Sequence, residues 1–186
     1  MDLSGIWDFK LDNGTGFEGK WMEKPLENPK KIAVPASYND QVEGSDFRDH
    51  YGWAFYQKEI ELPEILMNQR VVLRFGAVTH KAKVYLNGEL LCEHQGGFLP
   101  FEAEIGKTVN PGKNLLCVAV DNRVDYSTLP IGNEVGAAFF GEDLPDIPSV
   151  RKTVQKPHNA PNFDFFNYAG INRPVKIYTT PKEYIE

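Results

Sequence analysis

The sequence predicts an all-β fold, a β-sandwich with long irregular loops. Two observations predict the sandwich itself. Short runs with apolar and polar residues in alternation recur between clusters of turn residues, and no stretch shows the helical apolar period with caps at its ends. Helix is therefore expected only in short turns, and a chain of strands without helices buries its apolar faces by packing sheet on sheet.

The elements follow in order. Ile6 to Leu11 alternates, as does Phe55 to Leu62 before Pro63, and Arg70 to Phe75 follows after a short connection. Val84 to Leu91 carries Asn87-Gly88 at its centre, and this pair tolerates the positive φ that both central positions of a type I′ hairpin turn require. Phe101 to Ile105 has strict two-residue alternation, Pro111-Gly112 marks a turn, and Leu115 to Val120 is apolar enough for a central strand. Val175 to Tyr178 closes the series. Two segments break the pattern. Residues 12–54 hold few strand signals, and residues 123–163 hold Pro130, Pro145, Pro148, Pro157 and Pro161 with scattered aromatics. Phe139-Phe140, Leu144 and Ile147 in the second segment would be costly in a freely solvated loop, so this insertion is expected to pack on the domain or on a partner.

The 186 residues suit a single domain, 1–186, with that irregular insertion at about 123–163. A formal charge of −6 with no basic cluster beyond Lys30-Lys31 argues against nucleic acid or an anionic membrane as partner. No apolar run reaches the ~20 residues of a membrane span, and the first residues lack the basic-then-apolar order of a signal peptide, so the expected location is cytoplasmic. Cys92 and Cys117 fall in strand-like runs that could be neighbours, yet two thiols serve more readily as small buried apolar groups than as a bridge. His50, His80, His94 and His158 are scattered, no zinc-type spacing occurs, and neither a metal nor any other cofactor is implied. Asp40, Asp46 and Asp49 beside His50 read as a solvated turn with Asx caps in preference to a metal or acid site. Trp7, Trp21 and Trp53 read as core residues in preference to sugar-stacking ones.

The segment Asn162 to Arg173 is the most informative for function. Asp164 sits among Phe163, Phe165, Phe166 and Tyr168, beside the amide of Asn167, in a stretch that passes through Gly170 into a strand. A carboxylate among rings loses hydration that only hydrogen bonds or a cation replace, so Arg173 or a hydroxyl-rich ligand is a reasonable partner. Aromatic faces beside a carboxylate and an amide suit a sugar, whose C–H faces stack while its hydroxyls are hydrogen-bonded. A surface turn in which Asp164 and Asn167 cap local backbone groups satisfies the same residues.

The order of motifs resembles the N-terminal sugar-binding domain of glycoside hydrolase family 2, and within it the bacterial β-glucuronidases. The matching stretches are Leu3 to Phe9, Val34 to Gln41, Trp53 to Glu59, Val71 to His80, Val84 to Gly88, Glu93 to Glu102 and Asp164 to Arg173. They cover nearly the whole chain in order, while residues 133–163 match little of the pattern.

The resemblance implies that the sandwich is a jelly-roll or galactose-binding-like one that, in full-length members, precedes an immunoglobulin-like sandwich and a (β/α)8 barrel. Neither is in this sequence, and the closing residues Pro181 to Glu186 are expected to mark a domain boundary. It places both catalytic Glu residues on the barrel, held about 5–5.5 Å apart as a retaining mechanism needs, so no catalytic residue is assigned here and the chain alone is expected to be inactive. It implies that Asp164 reaches into the barrel's sugar pocket and accepts hydrogen bonds from the glycone, with Phe165, Asn167, Tyr168 and Arg173 in support. The implied partners are a glucuronide or galactoside glycone, the catalytic barrel of the same parent chain, and a second copy in a homo-oligomer. A free-standing carbohydrate-binding module and a purely architectural domain are the other readings.

Overall fold

A computed structural model describes residues 1–132, 159 and 166–183. The strands are β1 (Gly5–Leu11), β2 (Lys30–Val34), β3 (Ala36–Ser37), β4 (Trp53–Leu62), β5 (Arg70–Phe75), β6 (Val78–Thr79), β7 (Lys81–Leu86), β8 (Glu89–Gln95), β9 (Phe101–Glu104), β10 (Gly112–Asp121), β11 (Gly170–Ile171) and β12 (Val175–Thr180). Helix is confined to one four-residue turn, α1 (Ser45–Arg48), and a 3₁₀ turn at Glu64–Asn68.

A six-stranded antiparallel sheet in the order β2-β1-β4-β10-β7-β8 faces a three-stranded sheet β12-β5-β9, and the short strands β3-β11-β6 form a third, smaller sheet. Two-residue alternation builds the interior. Trp7 and Phe9 of β1, Tyr56, Ile60 and Leu62 of β4, and Leu116, Val118 and Val120 of β10 meet Val71, Leu73 and Phe75 of β5 and Val175 and Ile177 of β12. Each such side chain contributes roughly 1.5–3 kcal/mol when fully buried, so this seam dominates the stability of the fold.

The six-stranded sheet is covered on its outer face too. Phe55, Tyr85, Cys117 and Ala119 point away from the main core and are closed over by Met22 and Leu26, with Phe17, Trp21 and Trp53 at the margin. Gln57, also on this face, is buried: its Oε1 accepts from the Leu26 N–H at 2.8 Å, and its Nε2 donates to the carbonyls of Trp21 (2.6 Å) and Lys24 (2.9 Å). Residues 16–26 lie across the outer face at Phe55, Gln57, Cys117 and Ala119, and beyond their reach the same face carries the exposed Glu59, Glu61 and Lys113.

The Asn87-Gly88 turn has positive φ at both residues (53° and 86°) and joins β7 to β8, as its sequence predicts. Two features differ from the expectation, an edge strand and a small sheet. Residues 12–54 contain an edge strand, β2, whose inward residues are only Ile32 and Val34; its exposed lysines, which hide the alternation, also keep the edge from pairing with other chains. Cys92 and Cys117 are free thiols, as the sequence reading favours; they are not strand neighbours, since β7 lies between β8 and β10. The small sheet is built from two-residue strands too short to show any period. Most of the 123–163 insertion lies outside the described residues.

Candidate functional site

The segment that carries the sequence-predicted site enters the small sheet at Gly170, where β11 lies between β3 and β6. Gly170 has φ +129°, and a β-carbon there would come within 2.6 Å of the Tyr56 hydroxyl, so glycine is required where the segment crosses the sandwich. Just before it, Ala169 is locked from both sides. Its N–H donates to Asn39 Oδ1 at 2.9 Å, and its carbonyl accepts from the Tyr38 N–H at 3.2 Å. Asn39 is itself fixed, because its Nδ2 donates to the carbonyls of Phe47 and Arg48 at the end of α1.

Asn167 points to the other side. Its Nδ2 donates to the Asn122 carbonyl at 3.3 Å, which leaves Oδ1 facing His80 Nε2 at 2.7 Å. A carbonyl can only accept, so this amide orientation requires His80 to carry its proton on Nε2. His80 Nδ1 is then a buried lone pair without a hydrogen bond of normal geometry among the described residues. Burial of the ring lowers the His80 pKa, opposed by the bond to Asn167 and by the Leu129 backbone.

Asn122 is the centre of this end of the sandwich. It directly follows β10 and is 1% exposed. Its side chain reads the chain 70 residues earlier, with Oδ1 accepting from the Gly52 N–H at 2.9 Å and Nδ2 donating to the His50 carbonyl at 2.6 Å. The preceding residue, Asp121, holds Arg123 through paired bonds of 2.8 Å (Nε to Oδ1) and 2.6 Å (Nη2 to Oδ2), which squares off the strand end. Asn159 completes the group: its Oδ1 accepts from the Val124 N–H and its Nδ2 donates to the Asn122 carbonyl, both at 2.9 Å.

The other predicted residues are distributed as follows. Tyr168 is 44% exposed and packs against Phe166, ring centroids 4.7 Å apart. The Arg48 guanidinium lies 4.4 Å over the Phe166 ring, and its pKa is raised first by the Tyr168 hydroxyl and then by Asp40, with which it forms an ion pair. Arg173 sits in the exposed turn between β11 and β12, its Cβ against Gly76, and makes no ion pair with the described residues. Asp164 and Phe165 lie outside the described residues. The structure therefore brings Asn167 and Tyr168 to separate anchors, one buried and one on the surface.

The acidic turn resolves into ordinary pairs: Asp40 holds Arg48, and His50 Nε2 contacts the Trp53 carbonyl at 2.8 Å. Among the described residues no group of three or more His, Cys, Asp or Glu is placed to hold a metal ion. Trp7 is buried with its indole N–H on the Leu3 carbonyl, Trp21 meets the Phe55 ring at its edge under Lys10, and Trp53 packs against Phe17. His80, Asn122, Asn159 and Arg48 are the residues that sequence reasoning missed. The one local signal was a pair of polar residues, Asp121-Asn122, ending the apolar run Leu115 to Val120.

Known proteins share this arrangement of chain and fold. The family model described as "Glycosyl hydrolases family 2, sugar binding domain" matches residues 1–181. A beta-glucuronidase of Streptococcus agalactiae is 39% identical over 185 residues, covering 99% of this chain and 28% of the relative. The solved beta-glucuronidase of Faecalibacterium prausnitzii is 56% identical with a TM-score of 0.88, over 100% of this chain and 32% of that one. The structure of Bifidobacterium dentium beta-glucuronidase complexed with coumarin-3-O-glucuronide is 49% identical with a TM-score of 0.86, over 97% and 29%. The chain thus spans less than a third of the length of each of these relatives. It belongs to the sugar-binding domain family of the family 2 glycosyl hydrolases.

Proposed function

We propose that this chain is the N-terminal, jelly-roll domain of a retaining β-glucuronidase, and that Asp164 accepts hydrogen bonds from glycone hydroxyls in an active site completed by a barrel elsewhere in the parent chain. The observation that carries this reading is the match of residues 1–181 to the family's sugar-binding domain, with beta-glucuronidases as relatives that extend far beyond it. The Bifidobacterium dentium relative holds a glucuronide, which favours that glycone over a galactoside.

The role of Asp164 is positional. Hydrogen bonds to a charged acceptor contribute about 1.5–3 kcal/mol each, enough to orient a sugar ring against a nucleophile and an acid carried elsewhere. In this reading Phe165 and Tyr168 pack the segment, Asn167 ties it to the sandwich, and Arg173 balances the carboxylate. Catalysis itself requires two carboxyl groups about 5–5.5 Å apart across the sugar, a task given to the barrel. A cytoplasmic setting is part of the proposal, supported by two thiols held on non-adjacent strands and unpaired.

The test is steady-state kinetics of the parent polypeptide on p-nitrophenyl glucuronide and galactoside, with Asp164→Ala. Loss of at least ~10-fold in kcat/KM on the glucuronide, with the thermal midpoint unchanged, supports the assignment. Unchanged kinetics would remove Asp164 from the site, and a preference for the galactoside would replace the glycone.

A further inference from the structure

Of the eleven large apolar side chains left exposed among the described residues, five stand on two loops at one end of the sandwich. Phe98 and Leu99 lie between β8 and β9, and Tyr126, Leu129 and Ile131 lie in the stretch after β10, all of them 43% to 67% exposed. The loops are joined to each other and to the strand ends beneath them. Gln95 Nε2 donates to the carbonyl and the hydroxyl of Ser127 at 2.6 and 2.9 Å, Thr79 Oγ1 donates to the Gly97 carbonyl at 3.1 Å, and Lys81 Nζ meets Asp125 Oδ2 at 2.7 Å. The buried Thr128 hydroxyl holds the second loop in shape, accepting from the Asp125 N–H at 3.0 Å and donating to the Pro130 carbonyl at 2.8 Å. Single exposed apolar side chains are ordinary, whereas a group of them on a fixed backbone is a surface shaped for a partner.

We infer that Phe98, Leu99, Tyr126, Leu129 and Ile131 form the surface on which the catalytic barrel of the parent chain docks. The barrel rests on the function proposed above; the surface rests on the geometry alone. Three observations favour this occupant. More than two thirds of each relative lies outside the part that this chain matches. The patch adjoins the predicted site, because His80, between the Thr79 and Lys81 that tether the two loops, also holds Asn167 at 2.7 Å. The charges at its border are matched within the chain, Lys81 by Asp125 and Arg123 by Asp121, so the partner's face is apolar and needs no charge of its own. From Val175 opposite Phe75 to Thr180 opposite Arg70, β12 leads away from this end by about 17 Å. The docking part is therefore one that folds back along the sandwich, not the stretch that continues β12.

The test is thiol labelling of Leu99→Cys and Leu129→Cys, each made in this chain and in the parent polypeptide, with Ile65→Cys in the 3₁₀ turn at the far end as control. Maleimide addition is followed by mass spectrometry of the peptide that carries the new cysteine. In this chain all three are expected to react as free thiols do. In the parent Leu99→Cys and Leu129→Cys are expected to slow at least ~100-fold while Ile65→Cys stays fast. A photoreactive p-benzoylphenylalanine in place of Tyr126 in the parent is expected to cross-link to peptides of the barrel. Equal rates in chain and parent, or cross-links confined to other parts of the parent, overturn the inference. Slow labelling in this chain at every concentration overturns it too, because the patch is then covered without the barrel. Slowing that grows with concentration, alongside a dimer in sedimentation, overturns it in favour of a second copy, and equal slowing of Ile65→Cys removes the link to this end. Asp164→Ala kinetics judge the glucuronidase reading separately: a parent protected at both loop cysteines yet indifferent to that substitution keeps the docking surface and loses the Asp164 assignment.

Discussion

Asn167 Oδ1 and His80 Nε2 lie 2.7 Å apart across 87 residues of sequence. This bond joins the chain entering β11 to the first residue after β6, and it sets the His80 tautomer because the other half of the amide is committed to the Asn122 carbonyl. The Nδ1 of the same ring, buried and without a hydrogen bond of normal geometry among the described residues, is the atom that a second proton would have to occupy.

Stability is therefore expected to fall under mildly acidic conditions. Burial lowers the pKa of both His80 and His50 from the ordinary 6.5. Between the depressed folded values and about 6.5 the unfolded chain binds more protons than the folded one, so unfolding free energy rises with pH in that window. The contribution is fully present above about 6.5 and is lost as pH falls through it, levelling off below the folded values. The urea midpoint should drop between pH 7.5 and pH 5.5, and a His50→Gln/His80→Gln variant should show a flatter dependence. Equal slopes in variant and wild type would clear both histidines of the effect.

Gly170→Ala should destabilise the domain by about 2–3 kcal/mol, through a strained φ and a clash with a buried group. The φ is +129°, and the new methyl would sit 2.6 Å from the Tyr56 hydroxyl and 3.2 Å from the Ala36 carbonyl. Denaturant titration measures the loss; a change under about 0.5 kcal/mol would mean that the crossing at β11 relaxes freely.

Both thiols should be inert in the folded protein. Burial pushes Cys92 up to about 11 and Cys117 up to about 12. At pH 7.5 even the lower of these leaves the reactive thiolate roughly 300-fold scarcer than for an ordinary thiol. A chromogenic disulfide reagent should label neither in native buffer within minutes and both after denaturation. Fast labelling of one thiol in the native protein would show that its strand opens locally.

The strands that form the sandwich were legible because their information is local. Asn87-Gly88 encodes its own turn, and the alternation in β1 and β5 states which residues face inward. β2 was not legible, since an edge strand with two inward residues and two lysines carries half a signal. The double burial of β10 reads as a central strand, but nothing in Phe17, Trp21 or Met22 announces that they lie on it, because that contact is non-local. The site divides in the same way. Asn167 stands out for its neighbours in sequence, whereas His80 looks like one of four scattered histidines, and Asn122 acquires its importance only from residues 37 to 72 positions away.

Gln57 offers the sharpest test of the covering segment. It is 2% exposed on the outer face of β4, and its three hydrogen bonds all end on the backbone of that segment, at Trp21, Lys24 and Leu26. Gln57→Ala would leave one N–H and two carbonyls beneath the cover without these partners, and a buried unsatisfied group costs about 1–3 kcal/mol. Water entering the vacated space restores part of this, so a loss of about 2–4 kcal/mol is expected. Trp21, packed edge-on against Phe55 beneath Lys10, reports the outcome directly. Its emission should shift to the red in the variant before the main unfolding transition, because the segment lifts while the sandwich holds. A variant that unfolds in one step with unshifted native emission would show that Met22 and Leu26 alone keep the cover in place and that the amide is dispensable.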